Sequence, residues 1–578
     1  MTGRRFAVHD MINPYLNTKL VSKTADHHPL RNGGTSELIS ESGTALLKPA
    51  NGPGPITDPS ISSLPVLRIR ISHRRLQSRS LQTTSTPLAA PTYTGGATYS
   101  VYGTTSRAQR GDEMPAITKS RSKSKKQKKA ALTRQRILEE ALQAPLVAMD
   151  PQSKRNIVIV GGGIIGSTTA YFLTRHPRYN PSLHRITILE ATSIAAGASG
   201  KAGGLLALWA YPSSLVPLSY RLHRELAAEH GGEARWGYRR VNCGSFEARV
   251  SKERLAHIRQ ATAAPNAVAE GANNGEQEKG WERLPKQDTA AESLLKETPL
   301  PHDLDWIDHA SVLSYAEMGS PGATETAQVH PFHFTTSMAA LAQEKGVEIR
   351  LNAKLTKVVS SADGVSGVEY LDRETGESKT IDDVTDVLIS AGPWTGKILP
   401  ASKVTGLRAH SVVYNAEVSP YAVFTSIELP ADFVPEHRAS KGQKRRHKRV
   451  VDPEIYARPF GEVYACGEPD KLAPLPDTAD KVQVDEANCD DIISYIATFS
   501  PALASASVKT KQACYLPQVD YGPLIGPTSV KGLWLASGHT CWGIQNGPAT
   551  GKLMSEYILD GEAKSSDISE LDPRRYKC

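Results

Sequence analysis

Three glycines have the spacing of a site for a dinucleotide phosphate. Gly161, Gly163 and Gly166 form GxGxxG directly after a short apolar run, 156–160, and at the start of a segment with helical character. The first glycine permits a tight turn, the second lets a pyrophosphate approach the backbone, and the third lets helix and strand pack closely. Free N–H groups at the start of the helix would then face the phosphates. In this context of strand and helix, the pattern predicts a dinucleotide site.

A carboxylate at the end of the next predicted strand is typical of such a site. Glu190 closes the run 185–190 and lies 24 residues past Gly166. In this position a carboxylate can accept hydrogen bonds from both ribose hydroxyls, and it would repel a 2′-phosphate. The alternative, a glycine-rich turn of another α/β fold with an incidental glutamate, leaves the full pattern of strand, turn, helix and acid unexplained.

A second glycine-rich segment follows the acidic strand and reads AAGASGKAGGLLA at 195–207. Small residues here would let the backbone come close to a flat, bulky group; they are Gly197, Ser199, Gly200, Gly203 and Gly204. A nicotinamide enzyme needs no such segment at this point, whereas an enzyme that holds an extended flavin deep in the protein does. The segment therefore favours a flavin cofactor.

The elements that must position these residues indicate the fold class. The order strand, helix, strand at the first glycine motif predicts a parallel sheet and an α/β fold. We expect strands at 156–160, 185–190, 346–351, 357–370, 386–390 and 533–536, and helices at 164–174 and near 550–559.

Charge is distributed unevenly along the chain. The 578 residues include 68 Lys and Arg against 60 Asp and Glu, a net charge of +8. Residues 1–150 hold 22 basic and 10 acidic residues, so a basic head precedes a mildly acidic body. We expect this head to be a disordered, solvated extension, although its basic run at 119–129 would also suit a nuclear address or a nucleic-acid patch. Because Met149 stands just before the first strand, 1–148 is expected to be a dispensable tail or an over-extended reading frame.

Composition argues against a membrane-spanning protein and against a metalloprotein. No run of 18 apolar residues is present, so no transmembrane segment is expected. The six cysteines show neither CxxC nor another metal-ligand spacing, so we expect no metal site and no disulfide scaffold. We also expect no specific binding of nucleic acid.

The motifs GGGIIG, ITILE and AGASGKAGGLLA resemble those of FAD-dependent oxidoreductases of the D-amino-acid-oxidase-like family. The segments ISAGPWTGKIL at 389–399 and LWLASGHTCWGIQNGPATGKLMSEYIL at 533–559 are similar to later segments of that family. The likeness covers about 155–261 and 299–577 and is greatest to a fungal branch. It implies an α/β (overall α+β) protein, with a Rossmann-like FAD-binding domain and an inserted antiparallel-sheet substrate domain.

The resemblance also implies a division of the chain. After the basic extension at 1–150, the FAD-binding domain is expected in three parts, at 151–261, 346–400 and 516–578. A polar insertion at 262–298 and a crossover between the two domains at 299–345 lie between the first and the middle part. The substrate domain, at 401–515, lies between the middle and the last part. We call residues 437–449 (HRASKGQKRRHKR) the basic insert of the substrate domain. A solvated loop is expected there, with contact to an anionic membrane or a partner as the alternative.

A set of residues is expected to contact FAD by the same resemblance. They are Gly161, Gly163, Ile164, Ile165, Gly166, Glu190, Ala198, Ser199, Gly203, Gly204, Leu205, Val358, Gly392, Trp394, Cys514, Gly538, His539, Gly543 and Ile544. Cys514 lies where sarcosine-oxidase-like members attach the flavin through a thioether, and a buried, inert thiol is the alternative. Cys541 and Trp542 replace small residues of the family, which would narrow the flavin pocket or block oxygen.

Three residues are candidates for substrate chemistry. In this family a hydride leaves the carbon next to an amine and reaches the flavin, so the protein must orient the substrate. Arg458 could bind a substrate carboxylate bidentately, with Tyr456 as a hydroxyl candidate and His330 in a turn near the flavin. A structural salt bridge for Arg458 and a satisfied turn histidine at His330 are the alternatives, and structural roles are expected for Arg408 and His410.

Two readings of function follow from the resemblance. The first is an enzyme that oxidises a C–N bond of a small amino acid or secondary amine. The second is a flavin-binding interaction protein of endosomal sorting with weak or lost catalysis, because the fungal branch is linked to late-endosome-to-Golgi recycling. Cytoplasm and late endosome are the expected locations, and the mitochondrion is the alternative because related animal flavoproteins are mitochondrial.

Overall fold

The computed structural model describes residues 150, 152–262, 295–319, 325–447 and 449–578. The basic run at 119–129 and nearly all of the two segments 1–150 and 262–298 lie outside the described residues.

The described strands, in chain order, are β1 (Arg155–Val160), β2 (His184–Leu189), β3 (Leu205–Ala207), β4 (Arg239–Arg240), β5 (Asn242–Arg249), β6 (Leu295–Glu297), β7 (Val312–Met318), β8 (Thr326–Gln328), β9 (Glu348–Arg350), β10 (Ala353–Ser361), β11 (Gly364–Asp372), β12 (Ser378–Asp382), β13 (Asp386–Ile389), β14 (Thr405–Asn415), β15 (Tyr421–Glu428), β16 (Val450–Val451), β17 (Glu454–Arg458), β18 (Glu462–Asp470), β19 (Ser507–Gln518), β20 (Leu524–Pro527) and β21 (Leu533–Ser537).

The described α-helices are α1 (Ile164–Leu173), α2 (Ala198–Lys201), α3 (Val216–His230), α4 (Gly232–Trp236), α5 (Lys252–Thr262), α6 (Pro331–Gln343), α7 (Thr395–Ile398), α8 (Glu436–Ala439), α9 (Glu486–Ile496), α10 (Pro501–Ser505) and α11 (Gly543–Asp560). None of these helices is both long and apolar enough to cross a bilayer.

A six-stranded sheet with the order β20-β21-β13-β1-β2-β9 carries the first glycine motif. Its strands run parallel except for β20, which is antiparallel to β21. Side chains of β1 alternate between two faces: Ile157 and Ile159 pack with helices α1, α3, α6 and α11, whereas Val158 and Val160 face the small antiparallel sheet β10-β11-β12. A parallel sheet covered on both faces is the α/β architecture that the sequence predicts.

A larger sheet has the order β19-β14-β18-β17-β15-β5-β7-β6, and β16 pairs with the last two residues of β15. Neighbouring strands are antiparallel except β15 and β5. One face packs on α9, and the other face presents Tyr456 and Tyr464 toward Trp542. Strand β5 lies in the segment expected to belong to the FAD-binding domain, and β7 lies in the segment expected to be the crossover. The large sheet therefore includes strands from outside 401–515, the range expected for the substrate domain.

Two element predictions were wrong. The run 357–370 is not one strand but covers most of the hairpin that β10 and β11 form. The hairpin turns just before Gly364, whose φ of +123° is a backbone conformation that favours glycine. The last helix starts at Gly543 rather than near Thr550, because Pro548 lies inside it instead of ending it.

Two side chains of α3 support the helix around Pro548. Proline has no N–H for the carbonyl of Ile544, and the Nε2–H of His223 donates to that carbonyl instead, at 3.0 Å. Ser219 donates to the carbonyl of Gln545 at 2.6 Å and accepts from the N–H of Ala549 at 3.1 Å. The proline is therefore tolerated because α3 replaces the missing contacts.

The basic insert is a solvated loop only in part, because residues 439–444 are exposed whereas the residues on either side of them are held by protein contacts. Arg438 is buried and forms a bidentate ion pair with Asp491 of α9, with nitrogen–oxygen distances of 2.7 and 2.5 Å. Farther along, Arg446 donates to Asn488 of α9, and His447 lies 2.5 Å from Glu468 of β18. Local charge density alone does not reveal acidic partners that lie 21 and 53 residues away in sequence. The insert is thus anchored on α9 and β18.

Candidate functional site

A cavity of about 890 Å³ lies where the carboxyl ends of β1, β2, β13 and β21 meet the Tyr456 face of the large sheet. Ligands of open α/β sheets bind at this edge of the parallel strands. All predicted FAD contacts except Gly166 line this cavity. Gly166 instead packs helix against strand, because an added Cβ would lie 2.1 Å from the carbonyl oxygen of Gly161.

The turn between β1 and α1 requires glycine for two separate reasons. Gly161 has φ +108°, and a Cβ there would lie 2.6 Å from the carbonyl oxygen of Ser390. At Gly163 a Cβ would stand 3.1 Å from Oγ of Ser199, in the space at the start of α1. The N–H of Ile164 donates to that same hydroxyl at 2.9 Å. The turn and the helix start therefore form a cradle of small groups and N–H donors that fits a pyrophosphate.

Glu190 reaches from the end of β2 to this turn. Its carboxylate accepts from the N–H of Gly162 at 2.8 Å and from the N–H and hydroxyl of Thr192 at 2.8 and 2.9 Å. Burial raises the pKa of Glu190, while the hydrogen bonds from Gly162 and Thr192 act in the opposite direction. The backbone N–H of Ala191 also acts on the carboxylate, so protein donors use most of the four or so acceptor positions that it offers.

The second glycine segment is packed between Tyr456 of the large sheet and Val329, which follows β8. A Cβ on Gly203 would lie 2.5 Å from the ring of Tyr456, and one on Gly204 would lie 2.0 Å from the carbonyl oxygen of Val329. Gly204 also has φ +86°. These glycines are therefore required by protein packing as well as by any approach of the cofactor, which the sequence pattern does not distinguish.

The later predicted segments close the cavity. Gly392 and Trp394 follow β13, Val358 comes from β10, and Gly538 follows β21. His539 is buried, which lowers its pKa to about 3, so it is neutral at physiological pH. Together with the glycine turn, Ser199 and Glu190, these walls fit an extended dinucleotide with a flat ring system. Gly543 and Ile544 reach the cavity from the first turn of α11 rather than from a loop.

Cys514 lies on β19 and lines the cavity next to Lys201 of α2. Burial raises the pKa of its thiol to about 11, and the nearby ammonium of Lys201 acts against this shift. Lys201 itself donates to the carbonyl of Ala513 at 3.1 Å. The position suits either a thioether link or an inert thiol, so the role of Cys514 stays a prediction.

Of the three candidates for substrate chemistry, only Tyr456 lines the cavity. Arg458 is buried beyond it, 3.2 Å from the carboxylate of Glu462 and 3.3 Å from Nε2 of His330. Burial lowers the pKa of His330 to about 4. Since Arg458 also donates to the carbonyl of Ala202 at 3.4 Å, the second glycine segment covers it. Arg458 thus contacts the cavity wall from behind, through the Ala202 carbonyl and through the Tyr464 ring, whose centroid lies 5.3 Å from the guanidinium, and the substrate roles of Arg458 and His330 stay predictions.

Arg408 and His410 take the structural roles expected of them. Arg408 pairs with Asp470 through bonds of 3.1 and 2.9 Å. His410 bonds the carbonyl of Glu468 at 2.9 Å and accepts from the N–H of Asp485 at 3.2 Å.

Sequence reasoning missed several residues of the substrate-side wall. Glu454, Phe424, Tyr464 and Cys466 all line the cavity. The Tyr456 hydroxyl donates to Glu454, and burial together with this carboxylate raises the pKa of Tyr456. Alternation along EIYAR was the available signal, because Glu454, Tyr456 and Arg458 must share one face of a strand.

Comparisons with known proteins agree with FAD as the cofactor. The family model described as FAD dependent oxidoreductase (DAO) matches residues 156–557. TDA3 of Saccharomyces cerevisiae is 37% identical over 517 residues, covering 74% of this chain and 95% of its own, and C1F5.03c of Schizosaccharomyces pombe is 31% identical over 443 residues, covering 73% and 98%. Both are provisionally named as oxidoreductases. Mitochondrial dimethylglycine dehydrogenase of Rattus norvegicus is 24% identical over 462 residues, covering 76% of this chain and 47% of its own.

Proposed function

Because the chain belongs to the DAO family of FAD-dependent oxidoreductases, we propose that it oxidises a C–N bond of a small amine or amino acid. FAD, when bound, supplies the acceptor for the hydride that leaves the carbon next to nitrogen. The observation that carries the proposal is the single cavity in which the glycine turn, Glu190 and the aromatic face of the large sheet meet. A relative named dimethylglycine dehydrogenase supports a C–N donor.

Each wall of the cavity has a separate task in this proposal. The glycine turn, Ser199 and Glu190 hold the nucleotide part of FAD, as their donors and acceptors fit phosphate and ribose. Tyr456 faces the cavity with a protonated hydroxyl and orients the substrate. Trp542 packs edge-to-face on Trp209, with ring centroids 5.6 Å apart, and excludes water from this side.

The test is anaerobic reduction of the purified full-length protein. The oxidised protein is expected to absorb near about 370 and 450 nm, as flavins do. A panel of primary, secondary and N-methylated amines and small amino acids is then added without oxygen, and loss of the absorbance near about 450 nm reports hydride transfer. A folded, yellow protein that no member of the panel bleaches would contradict the proposal.

Acid precipitation of the same sample tests the role of Cys514. Yellow colour that stays in the pellet and moves to the supernatant in Cys514→Ser would assign a thioether link. Colour in the supernatant of the unaltered protein would assign an inert thiol.

An endosomal role is a separate proposal, and it is supported only by the resemblance to the fungal branch. Residues Arg438 and Arg446 bond side chains of α9, which weakens the basic insert as an argument for a docked membrane or partner. Fluorescence microscopy of the tagged full-length protein with markers for late endosomes and mitochondria would test the location. Uniform cytoplasmic signal would contradict an endosomal role, and overlap with the mitochondrial marker would favour the alternative.

A further inference from the structure

We propose that residues 471–485, which we call the strap, form a gate for FAD, and that two ion pairs hold this gate closed. The strap connects β18 to α9, and its residues, all of them described, form one turn of 3₁₀-helix, Ala479–Lys481, and no strand or α-helix. Connections of about 15 residues without regular structure are usually functional, as in lids over binding sites. The inference depends on FAD as the cofactor and goes beyond the proposed reaction.

The first argument is the position of the strap at the cavity. Asp477, Thr478 and Ala479 all line the cavity. Leu472 and Val484, near the two ends of the strap, are exposed. The middle of the strap therefore lies between the cavity and solvent.

The second argument is an ion pair beside Glu190. The ammonium of Lys354 lies 2.7 and 2.6 Å from the two carboxylate oxygens of Asp477. Lys354 belongs to β10, and the residue before it, Ala353, donates its N–H to the carbonyl of Glu190 at 2.8 Å. This ion pair therefore fastens the strap at the end of the cavity that is expected to take the ribose of FAD.

The third argument is a second ion pair at the same end. Arg373, which follows β11, donates from Nη1 to the carbonyl of Ala191 at 2.7 Å and from Nη2 to Asp480 at 2.8 Å. Ala191 is the residue after Glu190. Neither Arg373 nor Asp480 is among the described residues that line the cavity. This pair therefore joins the strap to the rest of the protein without forming the wall that FAD meets.

The fourth argument is that both ends of the strap are fixed to the large sheet. At one end, the hydroxyl of Tyr515 on β19 lies 3.0 and 2.9 Å from the carbonyl oxygens of Ala473 and Pro474. At the other end, buried Arg408 on β14 donates to the carbonyl of Gln483 at 3.2 Å. The ends can therefore stay in place when the middle moves.

The middle of the strap is held by partly exposed ion pairs and by residues that follow β13. The side chains of Asp477 and Asp480 are 56% and 48% exposed, and exposed ion pairs contribute little net free energy. Nε1–H of Trp394 donates to the carbonyl of Pro476 at 2.8 Å, and the ammonium of Lys397 donates to the same carbonyl at 3.0 Å. A few such contacts separate the closed strap from an open one, as in other gated sites.

The test compares the rates of FAD release and uptake in the full-length protein with those in Asp480→Asn and Arg373→Met. Every protein also carries Cys514→Ser, so that a thioether link cannot hold the cofactor. Release is followed by flavin fluorescence after dilution of the loaded protein, and uptake is followed after FAD is added to the FAD-free protein. Because the pair does not line the cavity, both rates are expected to rise together by about two- to fivefold, and the Kd for FAD is expected to stay within about twofold.

A control and a double variant guard the interpretation. Asp363→Asn removes an exposed carboxylate from the turn between β10 and β11, outside the strap, and is expected to change neither rate. The double variant Asp480→Asn with Arg373→Met should be no faster than the faster single variant, because both changes remove the same ion pair. Hydrogen exchange, measured by mass spectrometry, should increase in peptides that cover 471–485 and stay unchanged in α9. Faster exchange throughout the chain would identify an unfolded variant, and the other single variant then carries the test.

Unchanged release and uptake in both single variants would overturn the inference. Faster release with unchanged or slower uptake would also overturn it, because the strap would then be a part of the binding wall and not a gate. Neither rate requires a substrate, so these outcomes are independent of the proposed reaction. A protein that exchanges FAD faster in both variants but is bleached by no amine keeps the gate and loses the reaction.

Discussion

Removal of Arg438 distinguishes an anchored basic insert from one held ready for a membrane or partner. The change is Arg438→Met, which keeps the length of the side chain and removes its charge. Asp491, fully buried, would lose two charge-assisted hydrogen bonds of 2.7 and 2.5 Å from the guanidinium. Only the His437 ring, with Nε2 3.1 Å from the carboxylate, would remain beside it, and loss of the main partner of a buried carboxylate costs about 3–5 kcal/mol of unfolding free energy.

The loss of unfolding free energy is measured by thermal unfolding of the purified protein, followed by circular dichroism. For an ordered body of this size we expect Tm to fall by about 3–6 °C. The control is Lys441→Met, an exposed charge of the same insert, for which a change within about 0.5 kcal/mol is expected. The double variant Arg438→Met with Asp491→Leu should recover most of the loss, because an apolar pair can replace a buried ion pair.

The reasoning would be refuted if Arg438→Met and Lys441→Met lowered Tm equally. Weaker binding of vesicles that contain anionic lipid, with unchanged Tm, would likewise assign the insert to docking rather than to anchoring.

Three further perturbations test the cofactor site and the support of α11. Gly161→Ala places a Cβ 2.6 Å from the carbonyl oxygen of Ser390, and we expect purified protein with less than a tenth of the FAD content, measured by the ratio of visible to ultraviolet absorbance. Glu190→Gln removes the charge that accepts from Gly162, and FAD affinity is expected to fall about tenfold in a fluorescence titration. His223 is fully buried with a pKa lowered to about 4 from 6.5, so the unfolded chain takes up the proton first as pH falls. Unfolding free energy should therefore drop by about 2 kcal/mol more between pH 7 and pH 5 in the natural protein than in His223→Gln.

Each of these three predictions has a result that would contradict it. Gly346→Ala is the control for the first, because Gly346 also has a positive φ, +95°, but an added Cβ meets nothing within 4 Å. Full FAD content in Gly161→Ala would contradict the close approach, and unchanged affinity in Glu190→Gln would remove the carboxylate from FAD binding. Parallel pH profiles for His223→Gln and the natural protein would mean that this histidine is not held neutral.

The sequence predicts the parts of the fold that local pattern determines. Strand, turn, helix and acid around Gly161 appear within a residue or two of their predicted bounds, because short-range sterics and burial decide them. The hairpin at Gly364 and the early start of α11 escaped prediction for opposite reasons. At the hairpin, the apolar run gives no local sign of a turn. In α11, Pro548 is tolerated because Ser219 and His223, more than 320 residues away in sequence, bond the carbonyls around it.

Strand periodicity also left the substrate side of the site undetermined. It places Glu454, Tyr456 and Arg458 on one face of β17, but it does not tell which end of the strand the cavity reaches. That is decided by the second glycine segment, whose Ala202 carbonyl covers Arg458. A contact between residues more than 250 positions apart is not readable from local spacing.

The contact between Gly203 and Tyr456 determines how variants of this site can be interpreted. A Cβ at Gly203 would enter the Tyr456 ring at 2.5 Å, so the cofactor segment and the substrate sheet pack as one unit. Changing Tyr456 therefore disturbs the wall that receives the flavin as well as the wall that receives substrate. Loss of turnover in a Tyr456 variant would consequently not separate substrate binding from cofactor binding, and the flavin content of each such variant must be measured beside its activity.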